Sequence, residues 1–484
     1  MVSSLAAAGA RGGFMTVSGQ LLALVVRLVG LVVLGRLIEP YLFGLAAIVA
    51  SIATFVGALI YLGLPMATAQ ARHLSSRAQS SLFVLNLAMG AVLAFGLFVA
   101  AEPIAGLYGH PELALLIQWL AVVPLLGGAQ SQFRLRMLRD LRFTALALAD
   151  VAAQVAGTGA AILLAVLGQP VAAVISQSLV QSAVLVVLAV SCARWRPGAP
   201  GAWREEVFPI LRIGLHILGS TVLRDGSKNI LIPVMAFSQS PTQIGNFDRA
   251  QQLAIVPVSL TVDQMQRVAV PVLSQLRDAP ERMLTYMRSA QLVASYLTAS
   301  AFFLGAVLGG YAVRVILGED WTLAGTVVQV LCVGAVFRTL GQAMQWIYIA
   351  AGATAVGLRF NLWSQPAVAI ISLCGLPWGV VGVAAANSLA WVLLWPASVS
   401  LASRAAGFSA TPLIADALRA VTLFGLPTTL AAAWVWFVPM GPGAALGAGL
   451  LTSTLVGGTL ILFVRPVRRD LTQLRSIVRL ARRR

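Results

Sequence analysis

The sequence predicts an all-α polytopic membrane protein of about fourteen transmembrane helices: two pseudo-symmetric six-helix lobes followed by two C-terminal helices. Three observations carry this. Charged residues are 10% and apolar residues 59% of 484, with a mean hydropathy of +0.89, whereas a water-soluble domain carries roughly 25% charge. Apolar runs of about 20 residues recur along the chain, each long enough to cross a hydrocarbon core of roughly 30 Å as a helix. The cations fall mainly in alternate gaps between those runs.

Taken in order, the first run covers 16–38 and follows a single early charge, Arg11. It is too long for a cleaved signal and is expected to remain as a span. Runs at 42–64, 80–100, 111–131, 144–167 and 170–191 complete a first lobe, residues 1–192. Residues 193–206, ARWRPGAPGAWREE, are rich in Pro, Gly and Arg and look like a linker. A second lobe, 207–404, holds runs at 207–235, 242–275, 284–308, 322–349, 356–375 and 378–402. Two further runs, 413–437 and 441–464, lie in 405–464, and the basic stretch 465–484 closes the sequence. Cys192, Cys332 and Cys374 are odd in number and sit within or at the ends of runs, so they are read as packing residues rather than disulfide or metal ligands.

Fourteen spans place 23 arginines on one side, from Arg11 through Arg134, Arg136, Arg139 and Arg142 to the eight arginines after Val464, and only Arg36 and Arg314 on the other. The positive-inside rule then puts both termini in the cytoplasm. Val467, Leu471, Leu474 and Ile477 alternate with arginines at helical spacing in 465–484, as expected of a segment on the anionic inner leaflet.

The two lobes repeat weakly. Pro40-x-x-x-Gly44 recurs as Pro241-x-x-x-Gly245, the stretch 167–174 corresponds to 376–383, and Gly109 corresponds to Gly318. An even number of spans per lobe gives parallel repeats, which in transporters bind substrate between them.

Eight cations fall inside the spans: Arg27, Arg212, Arg224, Lys228, Arg249, Arg267, Arg338 and Arg419. Arg212 and Arg419 lie near a cytoplasmic end and are expected to snorkel. Arg267 follows Asp263 by four residues and is expected to pair with it. Arg27, Arg224, Lys228 and Arg338 fall nearer mid-span, where a lone cation facing lipid costs about 3 kcal/mol. They must face protein or water. Arg224 and Lys228, the only lysine, stand one turn apart on one helix face, with Ser220 and His216 continuing the row. The available counter-charges, Asp150, Asp225, Asp248 and Asp263, are fewer than the cations. The surplus suits a water-filled cavity that receives a compact anion, phosphate above all, with Arg27, Arg224 and Lys228 leading and Arg249 and Arg338 secondary. The acids are charge partners or, alternatively, a coupling-ion site.

An intramembrane glycosyltransferase or polymerase is the rival class. Its chemistry needs outward carboxylates, and the outer gaps are short, holding Glu39, Glu102, Glu112 and the pair Glu319-Asp320. No Ser/His/Asp set, metal spacing or phosphate loop appears, so neither metal nor cofactor is expected, nor nucleic acid as a partner.

Against this background the chain resembles the bacterial polysaccharide-transport (Wzx-type) flippases of the multidrug/oligosaccharidyl-lipid/polysaccharide exporter superfamily. GRLIEPYLFGL at 35–45 with YLGLP at 61–65, GNFDRAQQL at 245–253 with VPVLSQL at 270–276, and LPWGVVGVA at 376–384 carry the resemblance. It departs at Asn246-Phe247-Asp248 and at Gly35, leaving the subfamily open. The resemblance implies alternating-access export of undecaprenyl-diphosphate-linked oligosaccharide across the bacterial inner membrane, with coupling to Na+ or H+ in some members. A lipid II flippase is the alternative within the superfamily. Assembly with a polysaccharide polymerase or export complex is left open by the sequence.

Overall fold

A computed structural model describes residues 2–61, 63–64, 67–68, 74–258, 264–468 and 470. Among these residues every regular element is a helix: α1 (Val2–Leu37), α2 (Pro40–Tyr61), α3 (Ser76–Tyr108), α4 (Glu112–Leu120), α5 (Val122–Arg139), α6 (Phe143–Val166), α7 (Pro170–Cys192), α8 (Phe208–Asn229), α9 (Leu231–Met235), α10 (Pro241–Val258), α11 (Gln264–Gln275), α12 (Pro280–Leu317), α13 (Thr322–Ala350), α14 (Thr354–Leu373), α15 (Gly379–Ala405), α16 (Thr411–Ala420), α17 (Leu426–Ala433) and α18 (Pro442–Phe463).

Eleven stretches among the described residues are long and apolar enough to cross a membrane. The other three predicted spans fall on α8, on α10 with α11, and on α14, whose sequences carry more charge or amide. Helix ends follow local chemistry. Ser75 caps α3 by accepting the Ala78 N–H at 3.1 Å, and Gly109 closes it with φ +72°, in the left-handed region that glycine enters without strain. At 33 and 38 residues, α3 and α12 are about 50 and 57 Å long and project beyond a hydrocarbon core of roughly 30 Å.

The chain divides into two compact units, Met1–Gly245 and Asn246–Arg484. In the first, α1 packs on α6, α6 on α7, α3 on α5, and α2 on α8. Small residues set these approaches, as expected where lipid removes the hydrophobic drive between helices. A Cβ on Gly128 would lie 2.4 Å from the Asn86 carbonyl oxygen, and one on Gly157 2.5 Å from that of Gln177. In the second unit, α12 packs on α13, α13 on α15, α14 on α15, and α17 with α18 against α12. α7 opens at Pro170 and α15 at Gly379, 209 residues later.

Residues 193–206 are not a free tether. Ser80 Oγ accepts the Gly198 N–H at 3.0 Å, Ser81 Oγ accepts the Gly201 N–H at 2.7 Å, and Glu206 accepts the Ser75 N–H at 2.7 Å. Trp195 is buried against Phe83 and Phe133, and Arg142 donates to the Cys192 carbonyl. Arg194 and Ala202 hold positive φ of 51° and 54°, a conformation that costs a non-glycine residue energy and persists only where contacts impose it.

Candidate functional site

The predicted binding residues lie on helices in both units. In the first, Arg27 sits on α1 two-thirds of the way along and is exposed. Its direction gives that exposure meaning. With about 100° between successive residues, the exposed apolar residues Leu21, Leu22, Val25 and Val29 form one stripe, and Arg27 falls on the opposite side of the helix. Buried Leu31 and Leu34 continue its side in one direction, and Gln20 lies two turns back in the other. The guanidinium therefore leaves α1 away from the lipid-facing stripe. Among the described residues no carboxylate pairs with it.

Arg224, Asp225 and Lys228 lie on α8, which is continuous through them. Arg224 and Lys228 are thus one turn apart on one face; their side chains, and those of Ser220 and His216, lie outside the described residues. Asp263 lies there too, as does the side chain of Arg267, so the expected Asp263–Arg267 pair belongs to that undescribed region. Asp150 is taken by an arginine read from the sequence as topological: Arg134 on α5 grips it with two parallel bonds, Nη1–Oδ1 2.6 Å and Nη2–Oδ2 3.2 Å.

In the second unit, Asp248 and Arg249 are brought together as neighbours on α10. Arg249 Nε lies 3.8 Å from Asp248 Oδ2, and Gln252 bridges them by donating to Asp248 at 2.7 Å. Arg338 on α13 meets an aromatic partner, its guanidinium carbon 5.4 Å from the centre of the Trp391 ring on α15. Such stacking stabilises a poorly hydrated cation by about 1 kcal/mol, more where water is excluded. The sequence offered no signal for Trp391, 53 residues further on and on another helix.

Arg419, expected to snorkel, instead joins a compensated network. Asp416, 1% exposed at its side chain, receives Arg288 Nε at 2.6 Å and Arg419 Nη2 at 3.1 Å. Arg419 also donates to Asp470 at 3.2 and 2.8 Å, and Tyr296 Oη donates to Asp470 at 2.9 Å. Burying a carboxylate requires such partners, and two carboxylates supply enough attraction to keep Arg419 from turning out to the headgroups. The i,i+3 spacing of Asp416 and Arg419 was a signal in the sequence; Asp470, fifty-one residues on, was not. The same docking buries Val467 against Leu292, Tyr296 and Ala420, so this residue packs in the fold and not on a lipid surface.

The repeated Pro-x-x-x-Gly motifs meet reciprocally. A Cβ on Gly44 would lie 1.7 Å from the Pro241 carbonyl oxygen, and one on Gly245 2.1 Å from that of Pro40. Two helix starts thus cross backbone to backbone, each on the other's glycine. On the same side of the sequence pattern, Glu319 is engaged by Arg314 at 3.6 Å, and Trp321 is buried. Among the described residues no group of His, Cys, Asp or Glu could hold a metal ion.

The family described as polysaccharide biosynthesis protein matches residues 33–325. The chain is 25% identical over 349 residues to the lipopolysaccharide biosynthesis protein WzxC of Escherichia coli (strain K12), covering 71% of each. It is 26% identical over 301 residues to the succinoglycan biosynthesis transport protein ExoT of Rhizobium meliloti (strain 1021), covering 62% of this chain and 60% of that one. Its fold is similar to that of the lipid II flippase MurJ in an inward closed conformation, with a TM-score of 0.75 at 14% identity over 93% of this chain and 99% of that one.

Proposed function

The chain belongs to the polysaccharide biosynthesis protein family, and from that premise we propose that it is a flippase for undecaprenyl-diphosphate-linked oligosaccharide. It moves the precursor from the inner to the outer leaflet of the bacterial inner membrane by alternating access, with both termini in the cytoplasm. It is a transporter and not an enzyme: WzxC and ExoT are named for polysaccharide biosynthesis and, in ExoT's case, transport.

One observation carries the site. Arg27 leaves α1 on the side away from the lipid-facing stripe, exposed and without a carboxylate among the described residues. A guanidinium so placed is hydrated when the site is empty and meets a phosphate bidentately when it is filled. Arg224 and Lys228 give a second anchor of two cations one turn apart. Their mutual repulsion is relieved by a bound diphosphate, which makes the empty site receptive and the filled site stable. In the second unit, Arg249 is half-neutralised by Asp248 and Arg338 is stacked on Trp391, and the diphosphate is not assigned to either. The polyprenyl chain stays in lipid, where moving it costs little, so the work of the protein is to shield the charged and hydroxylated head.

Coupling to Na+ or H+ requires an acid that exchanges its counter-ion. Asp150 and Asp248 are the described candidates, each bound to an arginine that a cation or proton displaces. A polysaccharide polymerase or export complex receives the product on the outer side, and the arginines of the basic stretch 465–484 are attracted to the anionic inner leaflet.

Arg27→Ala, Arg224→Ala and Lys228→Ala each abolish surface polysaccharide at unchanged membrane abundance. Normal export by all three variants refutes the site. The lipid II alternative is tested in a strain whose peptidoglycan flippase is depleted, where rescue of growth by this chain would favour it.

A further inference from the structure

The second unit carries a row of side chains that diphosphate binding leaves unused. On α13, Arg338, Gln342 and Gln345 follow one another at helical spacing and stand within one quadrant of the helix. Neighbouring helices complete the row: Trp391 of α15 lies under the Arg338 guanidinium, and Asn361 of α14 accepts Gln345 Nε2 at 3.3 Å through its Oδ1. All five are half-buried. Val333, 40% exposed, lies well round the helix from them, and Ile349, 42% exposed, closes the row on its own face.

Interhelical amide pairing is a usual device for holding membrane helices together, and it accounts for Gln345 with Asn361. It does not account for a further amide one turn away, an indole and a guanidinium in the same patch, all partly open. A phosphate site gathers cations or backbone N–H groups. This patch instead sets one guanidinium among uncharged amides and an aromatic face. A primary amide both donates and accepts hydrogen bonds, as do vicinal sugar hydroxyls. An indole offers a flat apolar surface that suits the C–H face of a pyranose ring.

We propose that this row is a glycan wall, which binds the sugar portion of the transported lipid through its hydroxyl groups while the diphosphate is held by other residues. The proposal rests on the flippase reading and deepens it: discrimination between precursors resides in the second unit.

The test uses the full chain in nanodiscs with two probes, undecaprenyl diphosphate and the lipid-linked oligosaccharide that accumulates in cells lacking this protein. The wild type binds the glycosylated probe about tenfold more tightly than the bare diphosphate, the scale of one well-placed polar contact. Gln342→Leu and Asn361→Leu, both compatible with a membrane helix, remove that preference and leave affinity for the bare diphosphate unchanged. Gln342→Asn, which keeps the amide, retains part of it. Equal weakening of both probes, or an undiminished preference in both Leu variants, overturns the wall. A wild type that binds both probes alike refutes the wall alone, and one that binds neither refutes the flippase reading and the wall with it.

Discussion

Two groups of arginines in this molecule share a residue type and differ in company. Arg288 and Arg419 converge on Asp416 and Asp470, with Tyr296 completing the set, and the carboxylates are 1% and 5% exposed at their side chains. Arg27 stands exposed on the side of α1 opposite its exposed apolar stripe, with no carboxylate among the described residues, and Arg338 has an aromatic ring for a partner. The first group is closed: two cations and two anions satisfy one another and hold α16 and residue 470 against α12. Arg27, in the second, is open toward an anion. What separates structure from function here is the local balance of charge, which depth in the membrane alone does not reveal.

That comparison can be broken by exchanging the consequences. Asp416→Ala leaves two arginines facing each other around a buried void. Removing one partner of such a buried set costs about 3–5 kcal/mol, so the variant should melt early in detergent and fall in membrane abundance, with export lost only as a result. Arg27→Ala should behave oppositely: surface polysaccharide is abolished, through loss of a charge-assisted contact, at unchanged abundance and melting temperature. If Arg27→Ala instead destabilises the protein, the open group is structural after all.

Trp391→Leu lies between the two cases. It removes the ring beneath Arg338 and should lower stability by about 1 kcal/mol, seen as a small shift in the melting curve at unchanged abundance. The smallest effect on stability belongs to Asp150→Asn. Its pair with Arg134 is half-exposed at 47% and 30%, and such pairs contribute less than about 1 kcal/mol. A stability loss there comparable to that of Asp416→Ala would mean that burial does not set the ranking.

The helices were legible because each is an apolar run bounded by Pro, Gly or charge. The predicted 170–191 and 441–464 coincide to within one residue with Pro170–Cys192 and Pro442–Phe463. Partnerships across helices were less legible, because they depend on rotation and register that no local pattern encodes. Arg419 was expected at the headgroups, yet Asp416 was three residues away and Asp470 arrives from the far end of the chain. Arg134 was counted toward topology, yet it also holds Asp150. The mid-span position of Arg27 could be read from the sequence, but its direction required the buried and exposed sides of α1. The spacing of the Pro-x-x-x-Gly motifs suggested duplication; that they touch each other could be seen only in three dimensions.

The segment 193–206 has a practical side. Its composition invites a protein engineer to treat it as a permissive site for an affinity tag, a fluorescent reporter or a protease cleavage sequence. Its backbone is stitched to Ser80 and Ser81 and wedged by Trp195 between two phenylalanine rings, so foreign residues there would have to unseat the first turns of α3. Splicing cargo into this stretch is therefore a poor choice, for all its glycine and proline.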